Sequence, residues 1–204
     1  MLRLTNVTKS FDGKPVLAGV SLRCSAGELV CLHGPSGCGK TTILNIAART
    51  VRPDSGRVLL HTARVGFVFQ EDRLLPWLTV LGNLTFSLSG YVPPEEAASL
   101  AEEWLERLGV SEARDQRPGA LSGGMRRRIN LARALAIQPT LLLLDEPFAF
   151  LDPRTATTVR DELATMRERQ TTTILMVSHV LEHVLPLEPR VIETGGSPIT
   201  IPAP

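Results

Sequence analysis

Residues Gly34-Pro35-Ser36-Gly37-Cys38-Gly39-Lys40-Thr41 constrain this chain more tightly than any other stretch. A glycine, four residues, a second glycine, a lysine and a hydroxyl side chain make a loop whose backbone N–H groups can turn toward one anion. The apolar run Glu28-Leu29-Val30-Cys31-Leu32-His33 before it reads as a buried strand, and Thr42-Ile43-Leu44-Asn45-Ile46-Ala47-Ala48 after it reads as a helix. In that setting the helix N-terminus adds unpaired donors and partial positive charge. Lys40 can then reach the terminal phosphates of a nucleotide, and Thr41 offers Mg²⁺ the hard oxygen ligand it prefers.

The size suits one domain with a substantial core: 204 residues, 43% hydrophobic and only 4% aromatic. A net charge of +1 gives bulk electrostatics no reason to favour a nucleic-acid partner. Cys24, Cys31 and Cys38 form no CxxC pair, which argues against zinc or disulfides and fits a reducing compartment. No leader peptide is read at the start, and no apolar run approaches the roughly 18 residues of a membrane span. Work at a membrane therefore calls for another chain to hold this one there.

Along the chain, Leu2 to Val7 and Leu17 to Cys24 read as an antiparallel pair turned at Asp12-Gly13-Lys14-Pro15. Short strands are expected at Arg57 to His61 and Val65 to Phe69. A helix-rich lobe follows, with an apolar stripe from Glu95 to Leu108 stopped by Gly109, and a further helix from Ser122-Gly123-Gly124 to about Ile137. Thr140-Leu141-Leu142-Leu143-Leu144-Asp145 has the composition of a strand covered on both faces. A helix from Pro153 to about Arg169 and an interior strand from Thr172 to Val177 come next, and Arg190 to Glu193 with Ile199 to Ile201 are expected to close the sheet. Strand and helix alternating around a phosphate loop predict an α/β fold, with the ligand at the carboxyl ends of a mostly parallel sheet.

The acidic pair Asp145-Glu146 ends the leucine run, where such a sheet would aim it at the nucleotide. The first carboxylate can serve Mg²⁺ and the second can polarise an attacking water, since phosphoryl transfer needs mainly positioning and charge neutralisation. In Leu121-Ser122-Gly123-Gly124-Met125, Ser122 reads as an N-cap, and the two glycines leave a second helix start open to an anion. With one nucleotide already wrapped by the first loop, this second end is most simply used on a nucleotide held by another copy. Arg126, Arg127 and Arg128 read as a solvated helix face.

The phosphate loop, then Gln70, then Leu-Ser-Gly-Gly, then Leu-Leu-Leu-Leu-Asp-Glu-Pro, then the isolated pair Ser178-His179, resembles the ATP-binding-cassette ATPases over nearly the whole chain. The resemblance implies a P-loop NTPase core with a mostly parallel sheet, an N-terminal antiparallel β subdomain and a helical subdomain at about 71–138, all in a single domain spanning 1–204. It implies that Gly34, Pro35, Ser36, Gly37, Cys38, Gly39, Lys40, Thr41 and Thr42 hold the ATP phosphates, with Lys40 also catalytic. Thr41, Gln70 and Asp145 would serve Mg²⁺, with Gln70 sensing the γ-phosphate. Glu146 would be the general base and His179 the switch residue. Phe11 would stack on adenine with Val16 at the ring edge. Ser122, Gly123 and Gly124 would contact the ATP of a second copy in a head-to-tail dimer, and Asp152 would lie in the loop crossing that interface.

Gln70-Glu71-Asp72-Arg73-Leu74-Leu75-Pro76-Trp77-Leu78 together with Met125 is similar to the branch serving importers of nitrate, sulfonates and taurine. That branch implies transmembrane permease subunits and, indirectly, a solute-binding protein as partners. It also implies no nucleic acid and a peripheral place on the cytoplasmic face of the membrane. Leu74, Leu75, Trp77 and Leu78 would either dock a short permease helix or fill the helical lobe's own core. An exporter ATPase or a soluble cassette protein is the alternative, while a small-molecule kinase would share the phosphate loop without explaining Leu121 to Met125. Phe150 stands where relatives have a small residue near the dimer interface.

Overall fold

The computed structural model describes residues 1–62 and 64–203. Strands β1 (Leu2–Phe11) and β2 (Lys14–Cys24) form an antiparallel hairpin, longer than the sequence pattern suggested. The turn explains the length, because Asp12 and Gly13 both take positive φ, the geometry that carries one strand tightly into the next. β4 (Ser55–Leu60) pairs antiparallel with the other edge of β1, giving the order β2-β1-β4.

A separate parallel sheet of order β5-β6-β7-β3-β8 forms the centre. It comprises β3 (Leu29–His33), β5 (Val65–Val68), β6 (Leu141–Asp145), β7 (Thr173–Val177) and β8 (Arg190–Glu193). The leucines of β6 divide between two cores because successive side chains of a strand point to opposite faces. Leu141 and Leu143 pack with α1 (Lys40–Ala47) and the antiparallel sheet. Leu142 and Leu144 pack under α2 (Val80–Leu88), α3 (Pro94–Arg107), α4 (Gly123–Ala136) and α5 (Pro153–Gln170). This double cover is why the strand reads as an unbroken apolar run.

One expectation needs correcting. β8 does extend the parallel sheet beside β3, but Ile199 and Ile201 run along β2 in the other sheet. The Ala18 and Ser21 N–H groups donate to the carbonyls of Ile199 and Ile201 at 2.9 and 2.8 Å. Once β8 caps its sheet, the free edge of the β1–β2 hairpin offers the nearest unpaired backbone groups.

Candidate functional site

The phosphate loop joins β3 to α1, and α1 begins at Lys40 itself. Gly34 and Gly39 take φ of +153° and +119°. A Cβ at Gly34 would lie 2.3 Å from the Thr194 carbonyl oxygen, and one at Gly39 would lie 2.6 Å from Val16 Cγ1, so neither position admits a side chain. No side chain caps the start of α1, which leaves its first N–H groups for an anion. The ammonium of Lys40 is buried and donates to the carbonyls of Gly34 and Pro35 at 2.8 and 2.7 Å. A desolvated cation thus lies along the loop it serves.

In front of the loop is a cavity of about 300 Å³ lined by Val16, Ser36, Gly37, Gly39, Lys40, Thr41, Thr42, Gln70, Asp145, Glu146, Val177 and His179. The volume is at the small end of the ~300–1,000 Å³ of ligand pockets. Gln70, Asp145, Glu146 and His179 enter from beyond the carboxyl ends of β5, β6 and β7, where open α/β sheets bind ligands.

Asp145 is buried, with a side-chain hydrogen bond to Thr41 and one carboxylate oxygen that has no hydrogen-bond partner among the described residues. Burial pushes its carboxyl above the usual range, partly offset by Thr41 and by the charges of Arg127 and Lys40. An orphaned carboxylate oxygen beside a hydroxyl is a donor set suited to Mg²⁺. Among the described residues no cluster of three His, Cys, Asp or Glu side chains exists to hold a metal.

Glu146 sits at a left-handed φ of +51°, its N–H bonded to the Val177 carbonyl at 3.0 Å. Its Oε2 accepts the His179 backbone N–H at 3.2 Å, and its Oε1 lies 3.1 Å from His179 Nε2. The second contact has ion-pair distance without hydrogen-bond alignment, so Oε1 remains unsatisfied. Burial raises the Glu146 carboxyl above its ordinary value and neighbouring Asp145 raises it further, while His179 opposes both. A half-buried carboxylate with a raised pKa and one oxygen outside any hydrogen bond has the character of a general base.

Other residues of interest lie elsewhere. Phe11 is half exposed at the end of β1, with Lys9 Nζ 5.3 Å from its ring centre. Cys38 is buried behind the loop, its Sγ 3.5 Å from Thr194 Oγ1. Gly34 and Pro35 meet the Lys40 ammonium through their carbonyls rather than the cavity wall. Ser122 caps α4 by accepting the Met125 N–H at 3.3 Å. Asp152 caps α5, accepting the Thr155 N–H and hydroxyl at 3.0 and 2.6 Å, and these bonds hold its carboxyl below the usual range. None of Phe11, Ser122, Gly123, Gly124 or Asp152 lines the cavity.

Two further readings change. Arg127 is not on a solvated face: it is 2% exposed, and its guanidinium reaches the main chain at Phe69, Asp145 and Glu146. Helical spacing carried the clue, since Asn130, Leu131 and Ala134, at i+3, i+4 and i+7, are all buried. The segment after Gln70 is shared between the two readings given it. Leu74 joins the core, Trp77 is exposed, and Leu78 lines an apolar groove of about 410 Å³ with Phe86, Val92 and Ala97.

Residues 17–149 match the family model described as ABC transporter. The chain belongs to that family. It is 43% identical to the aliphatic sulfonates import ATP-binding protein SsuB 1 of Pseudomonas syringae pv. syringae, over 95% of this chain and 80% of the relative. Identity to the taurine import ATP-binding protein TauB of Yersinia pestis is 37%, over 97% and 81% of the two chains. Among solved structures, this ABC ATPase resembles the ATP-binding cassette MJ0796 in a dimeric post-hydrolysis state bound to ADP and Pi. That match has a TM-score of 0.87 and 29% identity, and covers 98% of both chains. The fold is that of the P-loop NTPases, and the family is one of ATPases.

Proposed function

We propose that this ABC ATPase energises uptake of a small solute of the sulfonate, taurine or nitrate kind through separate membrane subunits, fed by a solute-binding protein. The import ATP-binding proteins it resembles support that reading. Among the described residues no helix is long and apolar enough to cross a membrane. The chain's likeness to import ATP-binding proteins supports a peripheral place on the cytoplasmic face, held by the permease. Exposed Trp77 and the groove around Leu78 and Phe86 offer a permease helix an apolar seat.

The observation that carries the ATPase mechanism is the meeting of Lys40, Thr41, Asp145, Glu146 and His179 around one cavity at the start of α1. The loop from Gly34 to Thr42 holds the phosphates. Lys40 exchanges its two carbonyl contacts for terminal phosphate oxygens. Thr41, Asp145 and Gln70 would hold Mg²⁺, which when bound neutralises charge on the phosphates. Glu146 takes a proton from the attacking water through its free Oε1, and His179 steadies that carboxylate and reaches the γ-phosphate. Phe11 and Val16 flank the adenine. Ser122, Gly123 and Gly124 complete the site from a second copy, with Asp152 at the crossing loop; the dimeric form of the related cassette supports this arrangement.

Glu146→Gln should bind ATP, fail to hydrolyse it and accumulate as an ATP-dependent dimer on size-exclusion chromatography. Hydrolysis at the normal rate, or a monomer with saturating ATP, would overturn this assignment.

A further inference from the structure

Arg127 is a buried cation aimed at backbone rather than at a carboxylate. One terminal nitrogen donates to the Phe69 carbonyl at 2.6 Å, and the other donates to Asp145 O at 2.6 Å and also reaches Glu146 O. Phe69 immediately precedes Gln70, and Asp145 and Glu146 are the acidic pair, so a single guanidinium ties α4 to both strand ends that supply the chemistry. Asp72 approaches it only to 3.8 Å, and the Arg127 Nε has no hydrogen-bond partner among the described residues. Burying a cation in this way is costly against leaving it in water. An apolar side chain would fill the space between α4 and the sheet at no such cost. What it could not do is bond carbonyls on two strands at once, which needs the planar fork of arginine.

The Glu146 carbonyl needs such an anchor. At φ +51° a non-glycine residue carries left-handed backbone strain. In this conformation the Glu146 N–H donates to the Val177 carbonyl and the carboxylate accepts from the His179 N–H. The same helix holds the segment on either side of Gln70 twice more: Asn130 donates to the Phe69 carbonyl at 3.4 Å, and Arg133 donates to the Arg73 carbonyl at 2.6 Å.

We propose that Arg127 is a positioning residue for hydrolysis, whose forked contacts to the carbonyls of Phe69, Asp145 and Glu146 fix Gln70 and the Glu146 carboxylate relative to the start of α4. This rests on Glu146 being the base. A displacement of about 1 Å at a reacting group can cost about 100-fold in rate, and the loss falls on turnover rather than on metal-free nucleotide binding, because the three carbonyls that Arg127 holds lie outside the phosphate loop.

The test uses the purified full chain, with steady-state ATP hydrolysis for turnover and TNP-ATP fluorescence in EDTA, without Mg²⁺, for affinity. Arg127→Ala should lower kcat about 100-fold while the TNP-ATP Kd stays within about threefold. Added methylguanidinium should restore part of the lost kcat, which it could not do for a site that had merely lost packing. Unchanged kcat, or kcat and affinity falling together without rescue, overturns the role. Should Arg127→Ala fail to fold, Arg127→Lys decides, because it keeps the charge and loses the fork. A tenfold or greater fall in its kcat at unchanged Kd supports the proposal, and wild-type turnover or a parallel loss overturns it. Hydrolysis surviving in Glu146→Gln would instead overturn the base assignment beneath it.

Discussion

The starts of α1 and α4 both carry glycine, and the chain treats them differently. At α1 no side chain caps the helix, Lys40 is buried along the loop, and three parallel strands bring Gln70, Asp145, Glu146 and His179 to the same cavity. At α4 Ser122 caps the helix, and the nearest approach to Gly124 is the Phe150 carbonyl, 3.4 Å from where its Cβ would stand. The first end is furnished with charge, base and carboxylate by its own fold. The second offers donors with no chemistry beside them. A helix terminus is therefore only as informative as the strand ends that converge on it, and the α4 terminus enters the proposed mechanism only as half of a site completed between copies.

Glu146→Gln should have the largest effect at the furnished end. Its kcat should fall about 10²- to 10⁴-fold, the range for loss of a positioned base, as read by phosphate release. Lys40→Ala should weaken TNP-ATP binding at least tenfold, since a charge-assisted hydrogen bond contributes about 1.5–3 kcal/mol; unchanged affinity would break the assignment of this end to the phosphates.

Complementation sharpens the contrast. Lys40→Ala and Ser122→Arg should each be inactive alone, yet mixed in equal amounts they should regain hydrolysis. In the mixed head-to-tail dimer both lesions fall on one site and the other is intact. Mixtures as inactive as their components would show that the two ends never share a nucleotide.

The pH dependence is subtler. Because burial raises Glu146 in the folded state, the native protein holds that proton more tightly than the unfolded chain does. Its contribution to stability is therefore present below the unfolded value and lost as pH rises through the folded one. Glu146→Gln should raise the unfolding midpoint at pH 8 and leave it nearly unchanged at pH 4. A midpoint lowered equally at both would contradict the cost assigned to this buried carboxylate. Hydrolysis by the unmodified chain should decline as pH falls through the same raised value, because a protonated Glu146 cannot accept the water's proton.

The smallest effect belongs near the other end. Phe150 is 87% exposed at φ +62°, so it buries nothing in the isolated chain and bears the left-handed strain. Phe150→Gly should stabilise the isolated chain by about 0.5–1 kcal/mol in urea unfolding, the strain relieved less the entropy of glycine. A destabilised variant would mean the ring has a role within a single chain.

Much of the site was legible because its residues are consecutive or end a strand whose burial is written in its composition. The phosphate loop, the acidic pair after four leucines and the Ser-His after β7 need only local pattern and the rule that a parallel sheet binds at its carboxyl ends. Arg127 was misread because three adjacent arginines look solvated, although helical geometry puts the middle one on the buried face and its neighbours beside it. Arg126 turns back to the Leu121 carbonyl at 2.7 Å, and Arg128 reaches toward Leu108 and Gly109.

The amino-acid order alone determined which helix start faces the cavity, which strand is covered on both faces and which carboxylates stand at its end. Each of these depends on contacts within a few residues or on an apolar period of two or 3.6. Only the tertiary structure decided that Ile199 joins β2 and that the guanidinium of Arg127 lies beneath the acidic pair. It also decided that one Glu146 oxygen is held while the other stays free. Those are settled by which surfaces meet once the sheet has formed, between residues tens to hundreds of positions apart, where no local periodicity reaches.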